Sequence, residues 1–332
     1  MRAMVLAEPK PIDEKPLALR DLPVPAPGAG QVRIRVNCCG LCHTDLHTVE
    51  GDLPRHKMPV TPGHQVVGLI DATGSSVGDV REGDRVGLAW LHWTDQTCKY
   101  CQHGSENLCE HARFTGYDVD GGYADYVIAP AAYVYSIPKE FDDVHAAPLL
   151  CAGIIGYRSY RLSEIARGRR LGLFGFGASA HIVLQLAKHL GNEVYVFTRA
   201  QAHRDLAHKL GAAWTGSAED KAPELLDAAI IFAPAGPLVL DALRATRKGG
   251  IVALAGITMS QIPAMDYSLI YGERVLRSVA NSTRQDAREF LELAAEVPVR
   301  SEVQTFSLEK ANEGLLAMKQ SRIEGAGVLK IA

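Results

Sequence analysis

Apolar and polar positions alternate at Val32-Arg33-Ile34-Arg35-Val36, as they do in a half-buried strand. Residues 65–72 read as a second, more apolar strand, and Gly83-Asp84-Arg85-Val86-Gly87 as a turn running into a strand. Helical periodicity is scarce up to about residue 150. Gly and Pro punctuate this region at Pro25-Ala26-Pro27-Gly28, Pro62-Gly63 and Gly121-Gly122, which predicts a β-rich unit joined by loops.

The pattern changes near Cys151. Leu171-Gly172-Leu173-Phe174, Glu193-Val194-Tyr195-Val196-Phe197, Ala228-Ala229-Ile230-Ile231-Phe232 and Gly250-Ile251-Val252-Ala253-Leu254 are short apolar runs. Between them, residues 181–189, 202–210 and 238–246 repeat apolar positions at helical spacing, with Ile182, Leu186 and Leu190 on one face. Strands alternating with helices predict a parallel, doubly wound sheet. Helical patterns at 285–295 and 308–320 close the chain.

A length of 332 residues suits about two domains. Apolar residues make up 47% and charged residues 22%, an ordinary globular composition. The net charge of -3 is spread over mixed signs, with no basic block, so nucleic acid is not an expected partner. The first eleven residues lack the apolar core of a secretion signal, and no run approaches a membrane span. Six of the seven cysteines lie before residue 110. In a chain of this size that pattern favours metal binding over disulfides, and a reducing, cytoplasmic setting is expected.

Gly175-Phe176-Gly177-Ala178-Ser179-Ala180 follows an apolar run and opens a helical one. Gly175 permits a tight turn, Gly177 lets backbone approach a pyrophosphate, and Ala180 allows close packing of helix on strand, so a dinucleotide site is expected here. The carboxylate that binds the ribose of NAD at the end of the second strand is replaced by Thr198, followed by Arg199, with Arg204 nearby. Either Arg199 binds a 2′-phosphate, and NADP(H) is slightly preferred over NAD(H), or it is a solvated surface residue.

Gly40-Leu41-Cys42-His43-Thr44-Asp45-Leu46-His47 gathers a thiol, a hydroxyl, a carboxylate and two imidazoles. Gly63-His64 follows, then Cys151-Ala152-Gly153. With the nucleotide fold, these motifs resemble the medium-chain, zinc-dependent alcohol dehydrogenases over nearly the whole chain, to Gly325-Ala326-Gly327-Val328-Leu329. The resemblance implies a GroES-like catalytic domain at 1–152 and 288–332, with a Rossmann domain inserted at 153–287 and the cleft between them. It implies that Cys42, His64 and Cys151 hold a catalytic zinc ion with one open position, which suits the affinity of zinc for thiolate and imidazole. Thr44 would hydrogen-bond the reacting alcohol oxygen, His47 would pass its proton outward, Asp45 would orient His64, and His43 would meet the cofactor pyrophosphate. Thr44 and Asp45 could also cap a helix.

Several positions depart from the family pattern. Gln65 stands where the family has glutamate after Gly-His, Ile155 where it has a threonine, and Ala326 where it has an arginine for the pyrophosphate. The second cluster, four cysteines spaced C-x2-C-x2-C-x7-C in the family, is here Asp95, Cys98, Cys101 and Cys109. Aspartate can bind zinc, so a structural zinc site is expected, against a lobe folded without metal. Cys38 and Cys39 read as buried thiols. By the resemblance Trp90 falls at a substrate-pocket position, which would favour small or flat substrates; otherwise it is a core tryptophan. His92 and Trp93 have no assigned role, and Tyr117 is a further candidate for the pocket lining.

The expected activity is interconversion of alcohols and aldehydes or ketones by hydride transfer to or from a nicotinamide cofactor. Two alternatives are a zinc-free reductase of quinones or activated alkenes, which would lack the three ligands, and a non-catalytic nucleotide- or zinc-binding protein. Family members are commonly dimers or tetramers joined through edge strands, with Ile251-Val252-Ala253-Leu254 and residues 265–270 as candidate contacts.

Overall fold

The computed structural model describes residues 1–54, 57–297 and 299–332. Two compact units emerge: Met1–Cys151 with Ser282–Ala295 and Ser301–Ala332, and Ala152–Asn281 with Glu296–Arg300. The chain thus returns to the first unit at Ser282, ahead of the boundary at 288 expected from the resemblance. The returning residues are fixed by buried polar contacts: Glu106 Oε1 accepts from the backbone N–H of Arg284 at 3.0 Å, and the Arg284 guanidinium lies 4.8 Å from the centre of the Tyr133 ring.

The first unit is built on a seven-stranded sheet. Its order is Val303–Ser307, Ala326–Lys330, Gln31–Gly40, Gln65–Thr73, Arg85–Leu88 and Val134–Ser136, with Tyr126–Pro130 also paired to Gln31–Gly40. Val32, Ile34 and Val36 point into the core with Val66, Ile70, Val86, Leu88 and Val127, as alternation requires. Arg33 points outward and pairs with Asp71 at 2.9 Å. The strand continues past the alternating segment through Cys38, Cys39 and Gly40, because that end is covered on both faces and needs no polar side. The expected helix at 308–320 starts as a 3-10 turn, Leu308–Lys310, and becomes α-helical at Ala311–Lys319.

The second unit holds a six-stranded, wholly parallel sheet in the order Trp214–Gly216, Glu193–Phe197, Arg170–Phe174, Leu226–Ile231, Thr246–Leu254, Val275–Ser278. Numbered along the chain this is 3-2-1-4-5-6, the dinucleotide-binding order whose switch point falls beside the first strand. Helices Ala152–Leu162, Ala178–His189, Gln201–Leu210 and Leu238–Ala245 accompany it. Two strands escape the sequence pattern, and both are edges: Trp214–Gly216 is too short for a period, and Val275–Ser278 carries an arginine and a serine. The topology corrects one expectation. Ile251 to Leu254 is not an edge, because Val275–Ser278 pairs outside it. The exposed apolar surface beside that edge is Val275, Tyr267 and Tyr271. Among the described residues, no helix is long and apolar enough to cross a membrane.

Candidate active site and zinc centres

The paired strand Gln31–Gly40 delivers the chain to Cys42, where the helix His43–Glu50 begins. Cys42 itself is the N-cap. Its Sγ accepts from the backbone N–H of Thr44 at 3.4 Å, and the Asp45 carboxylate reaches back to the backbone N–H of Cys42 at 3.0 Å. This is a capping box with sulfur in the place of the usual hydroxyl. The cap therefore belongs to Cys42 and Asp45, and Thr44 contributes only its backbone. A thiolate at a helix N-terminus faces the free N–H groups and the positive end of the helix dipole.

Across the sheet, Gly40 pairs with Gln65, which places His64 beside Cys42. The ligand atoms of Cys42, His64 and Cys151 all lie within 4.8 Å of one another, and the two sulfurs are 3.7 Å apart. Two sulfurs each about 2.3 Å from a tetrahedral zinc would stand about 3.8 Å apart. His64 is wholly buried, and its Nε2 has no hydrogen-bond partner among the described residues. A buried ring nitrogen beside two thiols is a donor set that fits a soft divalent cation. The hydrogen bond from Cys151 holds the Cys42 thiol well down, while the same bond and burial push Cys151 well up. For His64, burial opposes the charged form but Asp45 and Cys42 outweigh it, raising it to about 10. These shared protons are the ones a bound metal displaces.

Asp45 holds this arrangement. Its carboxylate, 1% exposed, accepts from His64 Nδ1 at 2.9 Å and from the backbone N–H of Gly63 at 3.2 Å. Because an ionised carboxylate only accepts, Nδ1 presents a proton to it, and Nε2 is left as the nitrogen whose proton a metal would displace.

Thr44 is buried on the same helix and His47 is half-buried. His47 Nδ1 is 2.8 Å from Asp52 Oδ2, a partner that no motif in the sequence announces. His43 is exposed. Trp90 meets the His64 ring edge-on, with centres 4.9 Å apart, and it stacks on Phe114 at 5.0 Å and tilts against Tyr117 at 5.8 Å. Trp90 is thus part of an aromatic wall beside His64. Trp93 instead lies at the surface under Arg113, and His92 is buried against Thr115. Of the departures, Gln65 is buried over Gly40, Ile155 packs on the core of the second unit, and Ala326 is buried in strand Ala326–Lys330.

In the second cluster, the ligand atoms of Asp95, Cys98, Cys101 and Cys109 also lie within 4.8 Å of one another. Asp95 Oδ1 accepts from the backbone N–H groups of Thr97 and Cys98, both at 2.9 Å, which shapes the turn into the short helix Lys99–Gln102. These two bonds hold the Asp95 carboxyl well below its ordinary range. Cys38 and Cys39 are buried and belong to neither cluster.

In the second unit, Gly175 takes φ +88, and a Cβ there would lie 2.9 Å from the backbone nitrogen of Ala233. Gly177 is the N-cap of Ala178–His189 and has open space where a Cβ would stand, as a cradle for pyrophosphate needs. Ala180 is fully buried. At the end of the second strand, Thr198 is buried, Arg199 is exposed, and Arg204 Nε donates to the Thr198 carbonyl at 2.9 Å.

Residues 28–139 match the family model for the alcohol dehydrogenase GroES-like domain, and residues 180–296 match that for zinc-binding dehydrogenases. Across its full length the chain is 47% identical to a probable alcohol dehydrogenase, AdhA, of Mycobacterium tuberculosis, covering 97% of that protein. The chain belongs to the medium-chain zinc-type alcohol dehydrogenase family. An alcohol dehydrogenase of Geobacillus stearothermophilus is 36% identical over all of this chain and 99% of its own. A cinnamyl alcohol dehydrogenase of Sorghum bicolor superposes with a TM-score of 0.90 at 26% identity, covering 99% of this chain and 97% of that one. The protein is accordingly an oxidoreductase that interconverts alcohols and carbonyl compounds, with zinc and a nicotinamide cofactor.

Proposed function

We propose that Cys42, His64 and Cys151 hold the catalytic zinc ion, and that Thr44 and His47 carry the proton of an NADP-preferring alcohol dehydrogenase. The observation that carries this reading is the convergence of two sulfurs 3.7 Å apart on a buried imidazole nitrogen without a partner among the described residues. Zinc held by Cys42, His64 and Cys151 would supply Lewis acidity to an alcohol or carbonyl oxygen, and a bound nicotinamide would supply or accept the hydride. Thr44 holds the substrate hydroxyl by hydrogen bonding and orients it. His47 takes the proton from there, with Asp52 holding Nδ1–H so that Nε2 is the acceptor. Asp45 keeps His64 in the tautomer that ligates. The aromatic wall of Trp90, Phe114 and Tyr117 limits width next to His64 and favours small or flat alcohols. Replacing His64 with alanine tests the site: zinc content should fall by one per chain and turnover should vanish. Retention of both would defeat the assignment.

Asp95, Cys98, Cys101 and Cys109 are proposed to hold a second, structural zinc ion, supported by their clustering. Gly175, Gly177 and Ala180 form the turn for the cofactor pyrophosphate, and His43 is a further cofactor-binding residue. The NADP preference rests on the missing carboxylate at Thr198 and the exposed Arg199. Changing Thr198 to aspartate should move kcat/KM toward NAD, and a wild-type enzyme that already favours NAD would overturn the preference. A dimer or tetramer joined along Val275–Ser278 is favoured by the exposed Val275, Tyr267 and Tyr271. Sedimentation of a Val275→Lys variant tests it, with a smaller species expected. The seven free cysteines fit a reducing, cytoplasmic location.

A further inference from the structure

The Asp45 carboxylate has a fourth donor that lies far away in sequence. The hydroxyl of Tyr123 donates to Asp45 Oδ2 at 3.1 Å. Tyr123 is fully buried, and burial, with Asp45 close by, pushes its phenol well up, so the hydroxyl stays protonated and can donate. With Cys42 N–H, Gly63 N–H and His64 Nδ1 already in place, the hydroxyl fills the last of about four lone-pair sites on the carboxylate.

The rest of Tyr123 is tied to the same turn. Residues 121–123 run alongside 61–63: Gly121 N–H donates to Thr61 O at 2.7 Å, Gly122 N–H to Gly63 O at 2.8 Å, and Tyr123 N–H to Pro62 O at 2.9 Å. The approach is close enough to demand glycine. A Cβ at Gly121 would lie 2.1 Å from Gly63 O, and one at Gly63, where φ is +100, would lie 2.3 Å from a Tyr123 ring carbon. The turn that presents His64 is therefore clasped by backbone on one side and by the Tyr123 ring on another.

We propose that the Tyr123 hydroxyl is a positioning residue for the catalytic zinc: by holding the Asp45 carboxylate, it fixes the tautomer and orientation of His64. This rests on the proposed ligand set, and the test separates the two. Removing a partner one step behind a metal ligand costs about 10–100-fold in metal affinity or activity. Tyr123 donates one of four bonds, so the lower end, about tenfold, is expected.

The test is Tyr123→Phe, which keeps the ring against Gly63 and removes only the oxygen. Zinc affinity is measured by competition with a chelator, and the cobalt-substituted protein gives a visible spectrum that reports ligand geometry. Tyr123→Phe should bind one zinc equivalent about tenfold more weakly, shift the cobalt bands and lower kcat more than it changes KM. In an Asp45→Ala background, where no group remains for the hydroxyl to hold, the same change should have little further effect, because the path runs through the carboxylate. Unchanged affinity and spectrum in Tyr123→Phe overturn the proposal. So does an equal loss in the Asp45→Ala background, or a Tyr123→Phe variant that does not accumulate folded, since each gives the hydroxyl a different role. If instead His64→Ala keeps its full zinc content, the ligand set itself is wrong, an outcome distinct from any of these.

Discussion

Changing Asp45 to asparagine tests how the metal site is held, and the structure fixes what should follow. The carboxylate accepts from Cys42 N at 3.0 Å, Gly63 N at 3.2 Å, His64 Nδ1 at 2.9 Å and Tyr123 Oη at 3.1 Å. A carboxamide presents one oxygen and one NH2 group, so two of these four donors must face another donor. With the NH2 in the Oδ1 position, Gly63 N–H loses its acceptor. His64 must then accept through Nδ1, which moves its proton to Nε2 and blocks the atom proposed to bind zinc. With the NH2 in the Oδ2 position, the Tyr123 hydroxyl can turn and accept, and only the Cys42 N–H is left facing a donor. The second orientation costs less, and it still leaves one buried N–H unpaired, at about 1–3 kcal/mol. It also removes the charge that would make His64 a better zinc ligand. A loss of about 10–100-fold in zinc affinity follows, or about 1.4–2.7 kcal/mol. The assay is chelator competition, with kcat/KM measured on zinc-saturated protein and circular dichroism to confirm the fold. Zinc affinity within twofold of wild type, in folded Asp45→Asn, would show that the carboxylate does not hold His64 for the metal.

Three further outcomes follow. Gly63→Ala forces a Cβ into φ +100 and to 2.3 Å from the Tyr123 ring, so it should lower stability by about 2–4 kcal/mol in chemical denaturation and weaken zinc binding. Asp95→Ala should lose one zinc equivalent and lower the melting temperature, whereas Asp95→Cys should keep both; metal analysis with calorimetry decides. Burial and Arg113 depress His92 to about 4, so the fold favours its neutral form. That stability is present above about pH 6.5 and is lost as pH falls through 4, to a total of about 3 kcal/mol. Denaturation of His92→Gln across pH 7 to 4 should fall less steeply than wild type; parallel curves would contradict this.

The residues of the proposed zinc site are legible because thiols and imidazoles at that spacing have few other uses, and the doubly wound parallel sheet because buried parallel strands are continuous apolar runs. What stayed hidden depends on distance. Tyr123 lies 78 residues from Asp45, and a tyrosine between apolar neighbours looks like core. Asp52 reads as a turn residue after Gly51 until the helix His43–Glu50 brings it back onto His47. The edge strand Val275–Ser278 was obscured by its own polar residues, which let the inner run Ile251 to Leu254 pass for a contact surface. Thr44 and Asp45 are the cap candidates in the sequence; Asp45 does take part, while Cys42 stands in for Thr44, a role hidden because sulfur is an uncommon cap acceptor. The return to the first unit at Ser282 depends on Arg284 meeting Glu106 across 178 residues of chain, which no local pattern encodes.

The most direct measurement is anomalous diffraction from crystals of the purified protein at the zinc absorption edge. A peak about 2.3 Å from the sulfurs of Cys42 and Cys151 and about 2.0–2.1 Å from His64 Nε2 is expected. A zinc-loaded, active crystal with no peak within bonding reach of these three atoms would contradict the proposed ligand set.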